Sequence, residues 1–361
     1  MTSSTYIKTS VLIGAALIFL GAGCVSFNEG GTSGSAGMFV STSQGEEWKK
    51  IATEPTVDGN KDLSNSSVYR LEGDPQDPDT MYWATRGQGL FFTYDNGKTW
   101  RGVGAPLNTG FIYAMAVHPK DKCTMYASVG STVFKSSDCA RSWKNVYRES
   151  RSTVRVQSIA FSPFPPYQIM LVDSDGGVHQ SIDEGVSWDT LVRFKKTNLH
   201  NVIFDPFVEK TVYIASKKKG LFRSRDGGVT WDALLDNIKS FPQAKQYRRM
   251  VYHPYKQNVL YWVSEYGILV IEDGGDRWEE LSINPPAGSA KIYGFAINPK
   301  NDQEIYFTAT IGTRSTFYAT TNGAKSWETE KLPSGQVPTA LRIHPEDGFV
   351  YLGMTVPPEN K

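Results

Sequence analysis

The sequence predicts an all-β fold, a seven-bladed β-propeller whose ring is closed by its own two ends, and three observations carry that expectation. First, an eight-residue box, Ser224-Arg225-Asp226-Gly227-Gly228-Val229-Thr230-Trp231, recurs at Thr93–Trp100, Ser136–Trp143, Ser181–Trp188, Ile271–Trp278 and Thr320–Trp327, with a worn copy at Ser41–Trp48. Second, a Pro turn stands seven residues before an apolar, mostly Tyr, position: Pro75/Tyr82, Pro119/Tyr126, Pro163/Met170, Pro206/Tyr213, Pro254/Tyr261 and Pro299/Tyr306, with a shortened copy at Pro345/Tyr351. Third, the ends are complementary, because Trp48 has no Pro turn before it and Pro345 has no box after it.

Self-similarity every 43 to 52 residues, with four short apolar runs per period, is the signature of four-stranded propeller blades. In the six complete units the box Trp follows the Pro by 24 to 28 residues, so the order of strands within a blade is constant. The unmatched ends must then share one blade, with strands one and two from the C-terminus and strands three and four from the N-terminus. That arrangement leaves no free sheet edge. It requires Phe39-Val40 to pair beside the strand around Val350-Tyr351.

Each box reads as a folded hairpin turn. The side chain of Asp95, Asp138, Asp183, Asp226, Asp273 or Asn322 can accept nearby backbone N–H groups, a Gly supplies positive φ, and a Ser or Thr hydroxyl closes the ring. Trp100, Trp143, Trp188, Trp231, Trp278 and Trp327 then anchor the turns by burying an indole whose N–H needs a partner.

In chain order, residues 1–23 read as a targeting segment. Lys8 gives a thin positive start, and the apolar run Val11 to Gly21 is short for a bilayer span. It ends in Leu20-Gly21-Ala22-Gly23-Cys24, which resembles a bacterial lipobox with Leu one place further from the Cys than usual, and makes Cys24 the expected lipidation site. A plain secretory signal and an uncleaved anchor are the alternatives. Residues 24–37, rich in Gly and Ser, read as a flexible linker, and 38–361 as the propeller. The expected location is therefore the bacterial cell envelope, outside the cytoplasm and lipid-anchored to a membrane.

A net charge of +1 gives no nucleic-acid footprint and no acidic tail. Cys123 precedes strand two of its blade and Cys139 lies in the box turn of the same blade. Both turns fall on one face, so in an exported protein the pair reads as a disulfide, with two free thiols as the alternative. No Cys/His spacing suggests zinc, and no cofactor motif appears.

The first strand of each blade lines the channel and ends at the Pro turn. Four places before each Pro stand Leu71, Met115, Ile159, Val202, Met250, Phe295 and Leu341, all apolar, so this position packs against a neighbouring blade. Six places before stand Tyr69, Tyr113, Gln157, His200, Arg248, Tyr293 and Thr339, none aliphatic, at the mouth opposite the box turns. Flat rings with hydrogen-bonding tips suit a binding face for protein or sugar, although a half-solvated rim would have a similar composition. Arg70 and Arg249, one place on, would add positive potential for an acidic ligand. Glu72 and Arg342 are expected to form a structural ion pair across the ring closure.

The boxes and the xxHPxxxxxxYxA pattern resemble the Asp-box (BNR-repeat) propellers, among them sialidases, xyloglucanase-type glycoside hydrolases, the sortilin ectodomain and photosystem II assembly factors. The repeat is most similar to the sortilin-like and xyloglucanase-like versions and covers about residue 38 to 361. The resemblance implies the fold but not an activity, because in this group the boxes lie away from the active site. A sialidase would need an arginine triad with Tyr, Glu and Asp, and Arg70, Arg249, Arg342, Tyr69 and Glu72 could be cast in those roles. The chain lacks that family's Arg-Ile-Pro element, and the blade count differs. A xyloglucanase would need two carboxylates across a cleft, and Asp173 and Asp175 read better as a strand-connecting turn. His118, His253 and His344, each before Pro, read as part of the repeat. The expectation is a non-catalytic binding or assembly module for a protein or glycan ligand, with a glycoside hydrolase as the alternative.

Overall fold

The computed structural model describes residues 34–357 apart from Leu235. The signal at 1–23, Cys24 and most of the linker lie outside the described residues. The described chain forms seven four-stranded antiparallel sheets and one two-stranded hairpin. The inner strands of blades 1 to 7 are Val68–Gly73, Ile112–His118, Val156–Phe161, Leu199–Phe204, Tyr247–Tyr252, Lys291–Asn298 and Val337–Ile343.

The seventh blade is closed as expected. Gly37–Ser41 pairs antiparallel with Val350–Thr355, with Phe39 opposite Leu352 and Val40 opposite Tyr351. Every buried apolar cluster then spans one pair of neighbouring blades. Met38 and Ile51 of blade 7 pack with Trp83 and Trp100 of blade 1, and Tyr213 and Leu221 of blade 4 pack with Trp262 and Trp278 of blade 5. The core is thus a set of inter-blade seams, and the apolar position four before each Pro lies in them: Met115, Ile159, Val202, Met250, Phe295 and Leu341 are buried and Leu71 partly so.

The boxes fold as their chemistry demands. Ser224 Oγ donates to Asp226 Oδ1 (2.8 Å) and accepts from Gly228 N (2.8 Å), while Asp226 Oδ1 also accepts from Thr230 N (2.9 Å). The same ring forms around Asp95, Asp138, Asp183 and Asn322. In the worn copy Ser43 takes the Asp role, accepting from Glu47 N at 3.0 Å. Ile271 brings no hydroxyl to the Asp273 box, whose carboxylate lies 4.0 Å from Arg277 instead.

The repeated Tyr also has a purpose. Tyr126, Tyr213 and Tyr351 donate through their hydroxyls to the box backbone of the next blade, at Glu184 O (2.6 Å), Gly274 O (3.1 Å) and Asn96 O (3.1 Å). Trp100, Trp188 and Trp327 reach back the other way, to Ile51 O (2.6 Å), Val146 O (3.0 Å) and Ser282 O (2.9 Å) of the preceding blade. Trp231 and Trp278 instead close on their own boxes, and the indole N–H groups of Trp48 and Trp143 have no partner among the described residues, contrary to expectation. Box glycines must be bare for these contacts: at Gly45 (φ +102°) an added Cβ would lie 2.3 Å from the Phe317 ring.

Cys123 and Cys139 form the disulfide. The hairpin Thr53–Thr56/Gly59–Asp62 lies between blade 7 and blade 1 and belongs to no repeat. Its turn is Val57-Asp58, followed by Gly59 at φ +118° opposite Thr56, a local Asp-Gly signal outside the period that organises the rest.

Candidate functional site

The ring six places before each Pro coincides with a break in strand pairing. In blade 1, Val68 pairs with Thr85 and Arg70 with Ala84, which leaves Tyr69 unmatched. The same slip isolates Tyr113, Gln157, His200, Arg248 and Thr339, and in blade 6 it falls between Ile292 and Phe295, at Tyr293. Each mouth residue is therefore a β-bulge, and bulges re-aim a side chain out of the pleat. The rim is a repeated backbone device rather than the fraying end of a strand.

On blades 1 and 2 the rim is aromatic. Tyr69 meets Phe111 edge-to-face (centroids 4.7 Å), and Phe111 stacks on Tyr113 (4.1 Å, 20°). Arg70 and Arg86 lie over the Tyr69 ring at 5.5 and 5.8 Å. Phe111 was not among the sequence candidates, because it sits in the loop just ahead of the repeated positions. Across the ring, Arg248 lies over Tyr293 (5.1 Å) and donates to Glu265 (3.3 Å).

Two expectations need correction. Arg70 and Arg249 do not project as open cations; they turn inward and bind backbone carbonyls of other blades, with Arg70 Nε left without a partner among the described residues. Arg70 Nη2 donates to Gln157 O of blade 3 (3.1 Å), and Arg249 donates to Tyr293 O of blade 6 (3.1 Å) and Thr339 O of blade 7 (2.9 Å). Elsewhere this position is Ala114, Ser158, Asn201, Gly294 or Ala340, so the channel has room for two long side chains only because the other five are short. Nor does Glu72 pair with Arg342. Its ionic contact is with Arg70, at 4.0 Å. The Arg342 guanidinium lies against Gly73, where an added Cβ would meet it at 1.9 Å, and burial lowers its pKa against the opposing field of Glu72.

The mouth retains unmet hydrogen-bonding capacity. Arg70 Nε, Arg248 Nε and His200 Nδ1 are buried and have no partner among the described residues. Burial, then the positive charges of Arg70 and Lys217, depress the His200 pKa to about 4, so this ring is neutral at physiological pH. Asn201 accepts from Ser158 Oγ (2.8 Å) and donates to Tyr247 Oη (3.0 Å), which ties the inner strands of blades 3, 4 and 5 beneath the rim.

A second polar cluster lies buried between blades 2 and 3. Glu149, Asp173 and His179 bring ligand-type atoms within 4.8 Å of one another. Arg151 and Arg193 already hold these carboxylates: Arg151 Nε is 2.9 Å from Glu149 and Arg193 Nη1 3.4 Å from Asp173. The hydrogen bond from Arg151 keeps Glu149 at about 2. Burial would raise Asp173, but hydrogen bonds from His179 and from the N–H groups of Gly177 and Asp175 hold it at about 2. With two guanidiniums in place the cluster needs no cation for charge balance. As expected, Asp173 and Asp175 shape a turn: Asp173 Oδ1 accepts from Asp175 N (2.7 Å) and Gly177 N (2.9 Å). A third feature is a cleft of about 470 Å³ beside the hairpin, where Glu54 is tied to Lys61 (2.8 Å) and Gly102 N (2.9 Å).

The family model described as "Sortilin, neurotensin receptor 3" (Sortilin-Vps10) matches residues 36–158 and 176–269. The chain belongs to the Sortilin-Vps10 family. Among solved structures, this sortilin-type propeller is similar to the GH74 xyloglucanase of Xanthomonas campestris (TM-score 0.66, 17% identity, 86% of this chain and 52% of that one). It is also similar to the GH74 enzyme of Niastella koreensis (0.64, 16%, 80% and 51%), so it spans about half the length of these enzymes. It further resembles YCF48 bound to D1 peptide (0.61, 14%, 81% and 94%) and YCF48 from Cyanidioschyzon merolae (0.61, 13%, 82% and 97%). At these identities the likeness is one of fold. No curated protein matches the chain.

Proposed function

We propose that the protein is a non-catalytic binding propeller of the bacterial cell envelope, exported and lipid-anchored through Cys24, which recognises an extended polypeptide segment at the bulge-lined mouth. The observation that carries this reading is the rim itself. It combines the packed rings of Tyr69, Phe111 and Tyr113 with the Arg248–Tyr293 pair and the buried unpaired nitrogens of Arg70, Arg248 and His200. Aromatic and Arg anchors around unmet donors are the composition of binding hot spots. The likeness to YCF48 bound to D1 peptide, most of whose length is covered, favours a peptide over a glycan as ligand.

The glycoside hydrolase reading rests on the likeness to the GH74 enzymes. It needs two carboxylates able to act as acid and base, whereas Glu72 and Glu265 at this mouth each lie beside an arginine, at 4.0 and 3.3 Å. Random-peptide display on the immobilised full chain tests the binding reading. Enriched peptides should lose roughly 30-fold or more in affinity for Tyr113→Ala/Arg248→Ala/Tyr293→Ala, since each anchor is worth about 1–2 kcal/mol or more. Equal binding to both proteins, or turnover of xyloglucan oligosaccharides or fluorogenic sialosides by the parent, would overturn it.

A further inference from the structure

The chain as a whole carries a net charge of +1, yet three neighbouring loops of the mouth face, between the outer strand of blade 3 and the inner strand of blade 5, do not share that balance; the flanking turns carry Asp175, held by Arg151, and Glu265, held by Arg248. In residues 193–198, 217–219 and 236–246 there are eight Lys or Arg (Arg193, Lys195, Lys196, Lys217, Lys218, Lys219, Lys239, Lys245) against one acid, Asp236. Asp236 is taken up by Lys239, and Arg193 by the cluster between blades 2 and 3. Lys195, Lys196, Lys217, Lys218, Lys219 and Lys245 remain exposed and make no ion pair among the described residues.

These loops are held side by side by backbone hydrogen bonds that step from one to the next. Lys217 N donates to Asn198 O (2.9 Å), Tyr247 N to Lys217 O (3.2 Å) and Glu265 N to Gln246 O (3.1 Å). The six ammonium groups therefore project from one firm platform. Beside these loops Phe241 and Tyr266, the latter in the turn after Leu260–Ser264, lie half-buried against each other (5.3 Å).

We infer that this lysine platform docks on an anionic phospholipid surface. Two observations select that occupant. The free cations are all lysines, hydrated point charges on long stems, whereas the arginines of the region are engaged with carboxylates or carbonyls; such an array suits a diffuse layer of headgroups better than a shaped acidic ligand. Moreover, the chain enters the described structure on this same face, where Gly34 O accepts from Gln336 Nε2 (3.1 Å) in the loop before the seventh inner strand. The platform lies on blades 3 to 5, whereas the Tyr69–Phe111–Tyr113 sector lies on blades 1 and 2. The inference stands apart from what the mouth binds.

The test compares binding of the full chain to neutral phosphatidylcholine vesicles and to vesicles containing phosphatidylglycerol. Because the apolar N-terminal residues contribute alike to both, the readout is the ratio of the two affinities. The parent should prefer anionic vesicles by roughly tenfold or more at low salt, and high salt should abolish the preference. A variant with all six lysines changed to Gln should lose it, while Tyr113→Ala/Arg248→Ala/Tyr293→Ala should keep it. Absence of preference in the parent, or its survival in the six-Gln variant, overturns the inference; so does lysine-dependent binding to soluble polyglutamate without vesicle preference, which would identify an acidic polypeptide as the partner. Lys217→Gln/Lys218→Gln/Lys219→Gln, confined to one exposed turn, should lose part of the preference, and its full retention there overturns the inference however the six-Gln variant folds.

Discussion

His118, His253 and His344 occupy the place taken by Asp74, Ser162, Asp205 and Asn298 in the other blades, and all seven accept a backbone N–H two residues on. In His253 the acceptor is Nδ1, which receives Tyr255 N (3.3 Å) and Lys256 N (3.0 Å) and so must be unprotonated. Burial, then Lys256, lowers its pKa against the nearby Asp302, and burial likewise lowers that of His118. The folded state thus resists protonation that the unfolded chain accepts near pH 6.5. Below that pH the unfolded state binds more protons, so the contribution to stability is complete above about pH 6.5 and is lost as pH falls toward the folded-state value. His253→Asn keeps an acceptor, as Asn298 does in blade 6, and removes the titration. The urea midpoint of this variant should fall less steeply than the parent's between about pH 6.5 and 4.5; parallel curves would contradict the role given to Nδ1.

At the scale of the blade, the tyrosine that follows each Pro turn can be told apart by what its loss would leave behind. Gly274 O accepts from both Tyr213 Oη (3.1 Å) and Arg223 Nη1 (2.7 Å), so Tyr213→Phe leaves the carbonyl satisfied. Asn96 O has Tyr351 Oη as its hydrogen-bond partner at 3.1 Å, and Tyr351 is fully buried. Tyr351→Phe should therefore cost about 1–2 kcal/mol and Tyr213→Phe under about 1 kcal/mol, read from urea unfolding. Reversed magnitudes would mean that packing, not the hydroxyl, sets the value of this position. The tyrosines, the boxes and the histidine caps were legible in the sequence because each repeats in register with the chain's period. The hairpin at Thr53–Asp62 was not, since it occurs once, and its Asp58-Gly59 signal had no copy to draw attention to it. That Glu149 and His179 meet Asp173 was not legible for a related reason: the three come from two blades, outside the boxes, and only the turn of the ring brings them together.

For the molecule as a whole, the polar identity of the mouth was readable, but its geometry was not. A hydrophobic pattern reports which residues lie at a strand's start; it does not show that all seven are bulged, nor that Arg70 and Arg249 turn inward to carbonyls on distant blades. Ring closure was readable because the two ends each lack what the other supplies. Its energetic consequence follows from the seams. Each blade buries its apolar faces only against its neighbours, so a ring without free ends has no place to begin fraying. Phe39 belongs to the closing strand and packs with Tyr306, Phe317 and Leu352 in the seam between blades 6 and 7. Phe39→Ala should cost about 3–5 kcal/mol as a core truncation. It should also loosen the contact between Gly37–Ser41 and Val350–Thr355, exposing a terminus from which unfolding can propagate. Hydrogen exchange should then quicken first at Val350–Thr355, next in blades 1 and 6, and last in blades 3 and 4 on the far side. Leu269→Ala, a truncation in the seam between blades 4 and 5, should quicken exchange evenly around the ring, because the closure remains intact. Identical exchange patterns for the two variants would show that the joint between the chain ends is no weaker than any other seam.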